Sequence, residues 1–369
     1  MAKTINSEKE FTAFIKQKNK TLKTIISIPR SNSTIIELIL GLNSSQVKII
    51  HEPFLECGYY NVPASSAYQR ICSNINIDNQ EERIFLIKEM AHWLTKNELY
   101  KHFLPRINPP IILLIKNPFL AIESKIKKLL QSAYVKNRPG LNKFLSPLVN
   151  KRKDKNIQDS RQLLNLFALK KGCKSWSQLV KKEAIQKRNL TMFNPVLQYF
   201  IENSSEDIWG WKSINKIKTF LDKNKIKYRI LEGIDFQLAP VSTIYSLCKI
   251  LDINFDKKMF NFSKKKFEKL INLNQIQPSG SFWYKEVLSH TKIIKPSLPP
   301  LPINKFPSNI QSYIQEVGLP IYLQFCLDAR RINVLDYDQN FRCDKARFQN
   351  YKTRDPIYFM ANKHMNYFN

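Results

Sequence analysis

Four polar clusters in this sequence stand directly behind short apolar runs, and each carries side chains that can do chemistry. Pro29-Arg-Ser-Asn-Ser-Thr34 follows Thr24-Ile-Ile-Ser-Ile28, and His51-Glu52-Pro53 follows Val47-Lys-Ile-Ile50. Lys88 follows Ile84-Phe-Leu-Ile87, and Lys116-Asn117-Pro118 follows Ile111-Ile-Leu-Leu-Ile115. The first cluster says most. A tight turn from a strand into a helix presents several backbone N–H groups, and the helix N-terminus adds a positive dipole. Arg30 can fork onto a phosphate or sulfate, and Ser33 and Thr34 can donate hydroxyl hydrogen bonds to it. It is not a Walker loop, because G-x-x-x-x-G-K-[ST] is absent and no glycine occurs between 1 and 40. Asn32 is then the residue best able to take the positive φ that glycine usually supplies. The same run also reads as an ordinary Ser/Thr helix cap.

Such clusters need a scaffold, and the apolar runs describe one. Continuous apolar strands separated by helical patterns mark an α/β fold, a parallel sheet covered on both faces. Lys227-Tyr-Arg-Ile-Leu231 reads as a fifth strand, with a helix from Val241 to Leu251 behind it. Ile35 to Leu40 has helical spacing and stops at Gly41, which reads as a C-cap. In an open parallel sheet ligands sit at the carboxyl ends of the strands, where all four clusters fall. The interval 121–222 is lysine-rich and helical in pattern, with Trp176, Trp209 and Trp211 as anchors. Lys295-Pro-Ser-Leu-Pro-Pro-Leu-Pro302 is a proline-rich connector, followed by a helix from Ile310 to Asp328 and an aromatic tail. The expected organisation is an α/β domain over 1–294 with a basic helical insertion at about 125–222, then a C-terminal extension over 295–369.

Strand, then P-R-S-x-S-T, then helix resembles the 5′-phosphosulfate loop of sulfotransferases that use 3′-phosphoadenosine 5′-phosphosulfate (PAPS). Leu114-Ile-Lys-Asn-Pro-Phe-Leu-Ala-Ile-Glu-Ser124 is similar to their 3′-phosphate motif, strand–R-[ND]-P–x5–S. The matching residues are Lys116, a point charge where the family has an arginine fork, and Ser124. Tyr228 to Phe236 and Leu247 to Ile253 resemble later family segments, and Ser281-Phe-Trp-Tyr284 falls where a loop closes over the nucleotide. The resemblance implies a P-loop-like, sulfotransferase-like parallel sheet flanked by helices. It implies a nucleotide site built from Arg30, Ser31, Asn32, Ser33, Thr34, Lys116 and Ser124, with PAPS as co-substrate. No metal is expected, because His102, His290 and His364 have no partner at metal-ligand spacing. Glu52, behind the strand that follows the phosphosulfate loop, matches the catalytic glutamate of the protein-tyrosine type, and His51 is the alternative base. The K-T-H histidine of the cytosolic type is missing, since that segment is Lys88-Glu-Met90 here. Lys88 is either solvated or aimed at the donor, and His92 falls on a helix face. The expected reaction is sulfuryl transfer to a hydroxyl or amine of a peptide, sugar or small molecule.

Composition bounds the alternatives. The chain has 369 residues, 43% hydrophobic and 12% aromatic, which supports a full core and excludes bulk disorder. Its 59 Lys+Arg against 30 Asp+Glu give a net charge of +29, and residues 121–190 alone hold 18 basic against 4 acidic. Biased composition accounts for most single lysines, and Lys125-Ile-Lys-Lys128 and Lys264-Lys-Lys266 read as solvated helix faces. The excess also suits an anionic acceptor captured by the segment Lys125 to Arg188, through Lys151, Arg152, Lys153 and Lys155 among others. Two rivals stand: a repurposed, inactive relative that keeps the phosphate cradle, and a nucleic-acid-binding protein using the basic surface. Six cysteines fall singly with no C-x-x-C, no apolar run is long enough to span a membrane, and Met1 to Glu10 is polar. These features fit a cytoplasmic protein with free thiols.

Overall fold

The computed structural model describes residues 7–18, 20–76, 83–135, 137–149, 159–204, 207–261, 263–270, 300–332 and 334. Ser281–Tyr284, the connector up to 299, the aromatic tail and the group Lys151, Arg152, Lys153 and Lys155 lie outside the described residues.

Five strands form at the expected apolar runs: β1 (Thr21–Ser27), β2 (Val47–His51), β3 (Ile84–Met90), β4 (Ile111–Ile115) and β5 (Tyr228–Glu232). They build one sheet in the order β2-β3-β1-β4-β5, and every pairing is parallel. Ile25, Leu86, Ile112, Leu114 and Leu231 join one core cluster, while the alternating Leu22, Ile26, Phe85 and Leu113 are fully buried outside it. Period two along each strand therefore places apolar side chains on both faces. That is why the strands read as unbroken hydrophobic runs.

The cluster is completed by α2 (Ser33–Gly41), which links β1 to β2, and by the helix Pro240–Leu251, through Ile36, Leu40, Ile244, Leu247 and Leu251. A separate aromatic group joins α1 (Glu8–Lys18) to the helix Ala64–Asn76: Phe11 stacks on Tyr68 at 4.6 Å, and Phe54 meets Phe103 edge-on at 5.0 Å. Gly41 differs from its expected role. Leu42 caps the helix in a right-handed conformation, and Gly41 instead lets Ile49 pack close, since a Cβ there would lie 2.2 Å from Ile49 Cδ1. Close packing, not a left-handed cap, selects the glycine.

The chain divides into two compact units. The first holds the sheet and draws on Met1–Asn117, Gly210–Leu298 and Ile321–Asn369. Within it Ile332 N donates to Ile230 O at 2.8 Å and Ile230 N donates to Arg330 O at 3.1 Å, so the C-terminal segment lies along β5. The second unit, Pro118–Trp209 with Pro299–Pro320, is helical among its described residues. Trp176 anchors it as expected: its Nε1 donates to Leu130 O at 2.8 Å, and its ring meets Phe193 edge-on. Trp209 and Trp211 are buried as well, but Trp211 opens the helix Trp211–Lys223 of the sheet unit. The helix expected from Ile310 is present as Ser308–Tyr313, a π-helical turn at Ile314–Gly318, and Leu319–Leu327. Lys128 departs from the solvated face expected of it and is buried, while Lys264, Lys265 and Lys266 are exposed. No helix among the described residues is long and apolar enough to cross a membrane.

Candidate functional site

The strand order reverses direction at β1. From β1 the chain moves through α2 to β2 on one side, whereas β4 and β5 lie on the other. The crevice at the carboxyl ends of β1 and β4 is therefore the topological switch point, where open α/β sheets bind ligands.

The loop leaving β1 is shaped as its sequence suggests. Asn32 takes φ 72° as the N-cap of α2, and Arg30 takes φ 66°, which the sequence did not single out. Two left-handed residues thus flank Ser31 in the turn. Ser31 is fully buried and its Oγ donates to Ile28 O at 2.8 Å, so the hydroxyl braces the turn. Asn32 makes no capping bond to the helix. Its Nδ2 donates instead to Gly233 O at 2.8 Å. Gly233 begins the helix Gly233–Leu238 behind β5, and a Cβ there would stand 2.3 Å from Ser31 O. The backbones behind β1 and β5 thus pack so closely that only glycine fits. Ser33 is buried and Thr34 half-buried in the first turn of α2.

The ends of β2 and β3 hold a buried cluster of ionisable groups. Lys88 is 1% exposed, and its Nζ is ion-paired and hydrogen-bonded to Glu52 Oε1. Of the two readings of Lys88, the solvated one is overturned: the residue lies inside β3, where water cannot reach it. Glu52 has φ 42°, unusual for a glutamate, and its N–H donates to Lys88 O at 2.8 Å. His51 Nδ1 lies 2.7 Å from Glu37 Oε2, and its Nε2 lies 3.8 Å from Glu52 Oε1. Glu89 is fully buried, and its two oxygens accept from Phe54 N at 2.8 Å and Met90 N at 2.7 Å. Burial and the neighbouring Glu52 charge push its carboxyl up to about 8, against the pull of those two N–H donors. His92 is buried on the short helix Ala91–Thr95.

Behind β4, Lys116 is buried and Asn117 N donates to Glu232 Oε1 at 2.9 Å. Glu232 also accepts from Ile234 N and caps that helix. Its complete burial, with Asp235 beside it, raises its carboxyl to about 7. The loops behind β4 and β5 are thereby tied to one carboxylate. Ser124 belongs to the second unit, on the helix Pro118–Val135, and is half-buried.

The structure thus brings His51, Glu52 and Lys88 together, and puts Arg30, Ser31, Asn32, Ser33 and Thr34 in one loop. It adds Glu37, Glu89, Glu232 and Gly233, which sequence reasoning passed over. Glu37 was legible in principle, as the lone carboxylate within Ile35-Ile36-Glu37-Leu38-Ile39. A charge at the centre of an apolar run is costly to bury unless something pairs with it.

No family model matches the chain, and no curated protein matches it. Among solved structures it is similar to the sulfotransferase domain from the curacin biosynthetic pathway, at 13% identity over 80% of this chain and 97% of that one, with a TM-score of 0.28. Overlap at that level adds nothing to the topology and clusters described above.

Proposed function

We propose that this chain transfers a sulfuryl group from PAPS to a hydroxyl or amine acceptor. One observation supports the reading: a loop with two left-handed residues, Arg30 and Asn32, stands at the switch point and shares its sheet end with a buried carboxylate–ammonium pair, Glu52–Lys88. A donor with two separated phosphates suits two separate cationic stations, the Arg30 loop behind β1 and Lys116 behind β4.

In this reading the loop N–H groups and Arg30 hold the 5′ anion and meet the charge that develops on its bridging oxygen. Lys116 holds the 3′-phosphate. Glu52 takes the acceptor proton, and Lys88 fixes the orientation of that carboxylate. A nucleotide-binding relative without transfer activity is the second reading, favoured by one feature: Glu52 is already engaged by Lys88. A transfer assay with sulfur-labelled PAPS and a panel of phenols, sugars and amines separates the two. Labelled product that disappears in Glu52→Gln supports transfer, and nucleotide binding with no product supports the second reading.

A further inference from the structure

Helix α2 does two things at this end of the sheet. Its first residues close the loop behind β1, and one turn later Glu37, with no solvent exposure, reaches His51 Nδ1 at 2.7 Å. Glu37 Oε1 has no hydrogen-bond partner among the described residues, so His51 is the contact that its burial serves. A carboxylate on Nδ1 fixes both the ring orientation and the tautomer, placing the proton on Nδ1 and the lone pair on Nε2. Nε2 then points at Glu52 Oε1, 3.8 Å away.

We propose that Glu37 is a positioning residue, holding His51 in the Nδ1–H tautomer so that Nε2 receives the proton Glu52 has taken from the acceptor. The acceptor's O–H or N–H bond breaks as its proton passes to the Glu52 carboxylate. The Glu52 O–H then breaks as the proton moves to His51 Nε2, which restores the carboxylate and leaves an imidazolium beside Glu37. Water takes that proton after the product departs. The second transfer requires the 3.8 Å separation to close to hydrogen-bond length, about 2.8 Å.

The groups facing His51 come from four elements. Glu37 on α2 and Glu52 behind β2 bring carboxylates, and Lys88 of β3 brings an ammonium beside Glu52. Arg70, on the helix Ala64–Asn76, donates to His51 O at 3.2 Å and adds a second cation. Glu89, its carboxyl raised to about 8, is mostly neutral at pH 7. The inference rests on the transferase reading for its acceptor, but the Glu37–His51 arrangement can be read without any substrate.

The test is multiple-bond ¹⁵N–¹H correlation NMR on histidine-labelled full-length protein, across pH, for wild type and Glu37→Gln. The expected wild-type spectrum shows His51 protonated on Nδ1 at alkaline pH. In Glu37→Gln the Nδ1–H fraction should fall, because an amide can donate to Nδ1 as well as accept from it. Turnover should fall about tenfold at unchanged KM, and Glu37→Asp should recover part of both. An Nε2–H tautomer in wild type overturns the proposal, whether or not the variant folds. An unchanged tautomer population in folded Glu37→Gln also overturns it. The expected tautomer, and its loss in the variant, without transfer to any acceptor would sink the relay and the transferase reading, leaving a structural Glu37–His51 pair.

Discussion

Glu52 has an ion pair, a strained backbone and a histidine neighbour, and each bears on its role. In the proposed role of general base it should be replaceable by the isostere in structure but not in rate. Glu52→Gln is expected to lower turnover by about 10²–10⁴-fold while the Kd for adenosine 3′,5′-bisphosphate stays within about twofold. Retained turnover in Glu52→Gln, together with its loss in His51→Ala, would move the role to His51. A second prediction concerns Glu89. Its folded-state carboxyl titrates near 8, above its ordinary value of 4.5, so the native state binds more protons than the unfolded chain between those values. Stability contributed by this group is complete below about 4.5 and is lost as pH rises through about 8. Thermal unfolding should therefore show Tm falling from pH 6 to pH 9, and Glu89→Gln should flatten that slope. The variant should also lose about 1 kcal/mol at pH 6, because its amide nitrogen cannot accept from a backbone N–H. The polar loop residues were legible because they follow apolar runs, where the chain must leave the sheet. Glu89 was not, because it sits inside an apolar strand, and Glu37 showed only as a lone carboxylate whose partner the sequence does not name.

The strands were legible as elements for a related reason. Continuous runs such as Ile111–Ile115 can be buried on both faces only within a covered parallel sheet, and the structure places β4 on the residues expected. The close approach of the β1 and β5 loops was not legible. Nothing around Gly233 in the sequence reports that Ser31, some 200 residues earlier, lies against it. That contact yields a prediction at the same scale. Gly233→Ala should push the Ser31 peptide out of place, at a cost of about 1–3 kcal/mol in denaturant unfolding, and weaken nucleotide binding with it. Gly172→Ala is the control. Its φ of 71° makes alanine unfavourable by about 1–2 kcal/mol, yet no atom lies within 4 Å of the added Cβ, so nucleotide binding should not change.

At the scale of the molecule, the net charge of +29 was plain in the sequence, but its use was not, because a lysine's role depends on what surrounds it. Lys88, Lys116 and Lys128 are buried, whereas Lys170, Lys171, Lys174, Lys181 and Lys182 are exposed on the second unit. Exposed charges act through long-range attraction that salt screens over about 8–10 Å. Replacing those five with serine should raise the KM of an anionic acceptor, most strongly at low salt, and leave donor binding as it was. Identical kinetics at every ionic strength would reduce them to a solvated face.

The proposed function requires this sheet end to select a nucleotide carrying separate 3′ and 5′ anions. Isothermal titration calorimetry of the full chain with adenosine 3′,5′-bisphosphate, ATP and adenosine 5′-phosphate tests it most directly, with Tm measured in parallel. The bisphosphate should bind one-to-one, at least about tenfold tighter than either competitor, and in Lys116→Ala its affinity should drop toward that of adenosine 5′-phosphate. At a concentration 100 times its Kd, the bisphosphate should add about 2.7 kcal/mol of stability. Equal affinity for ATP and the bisphosphate, or no binding of the bisphosphate, would contradict it.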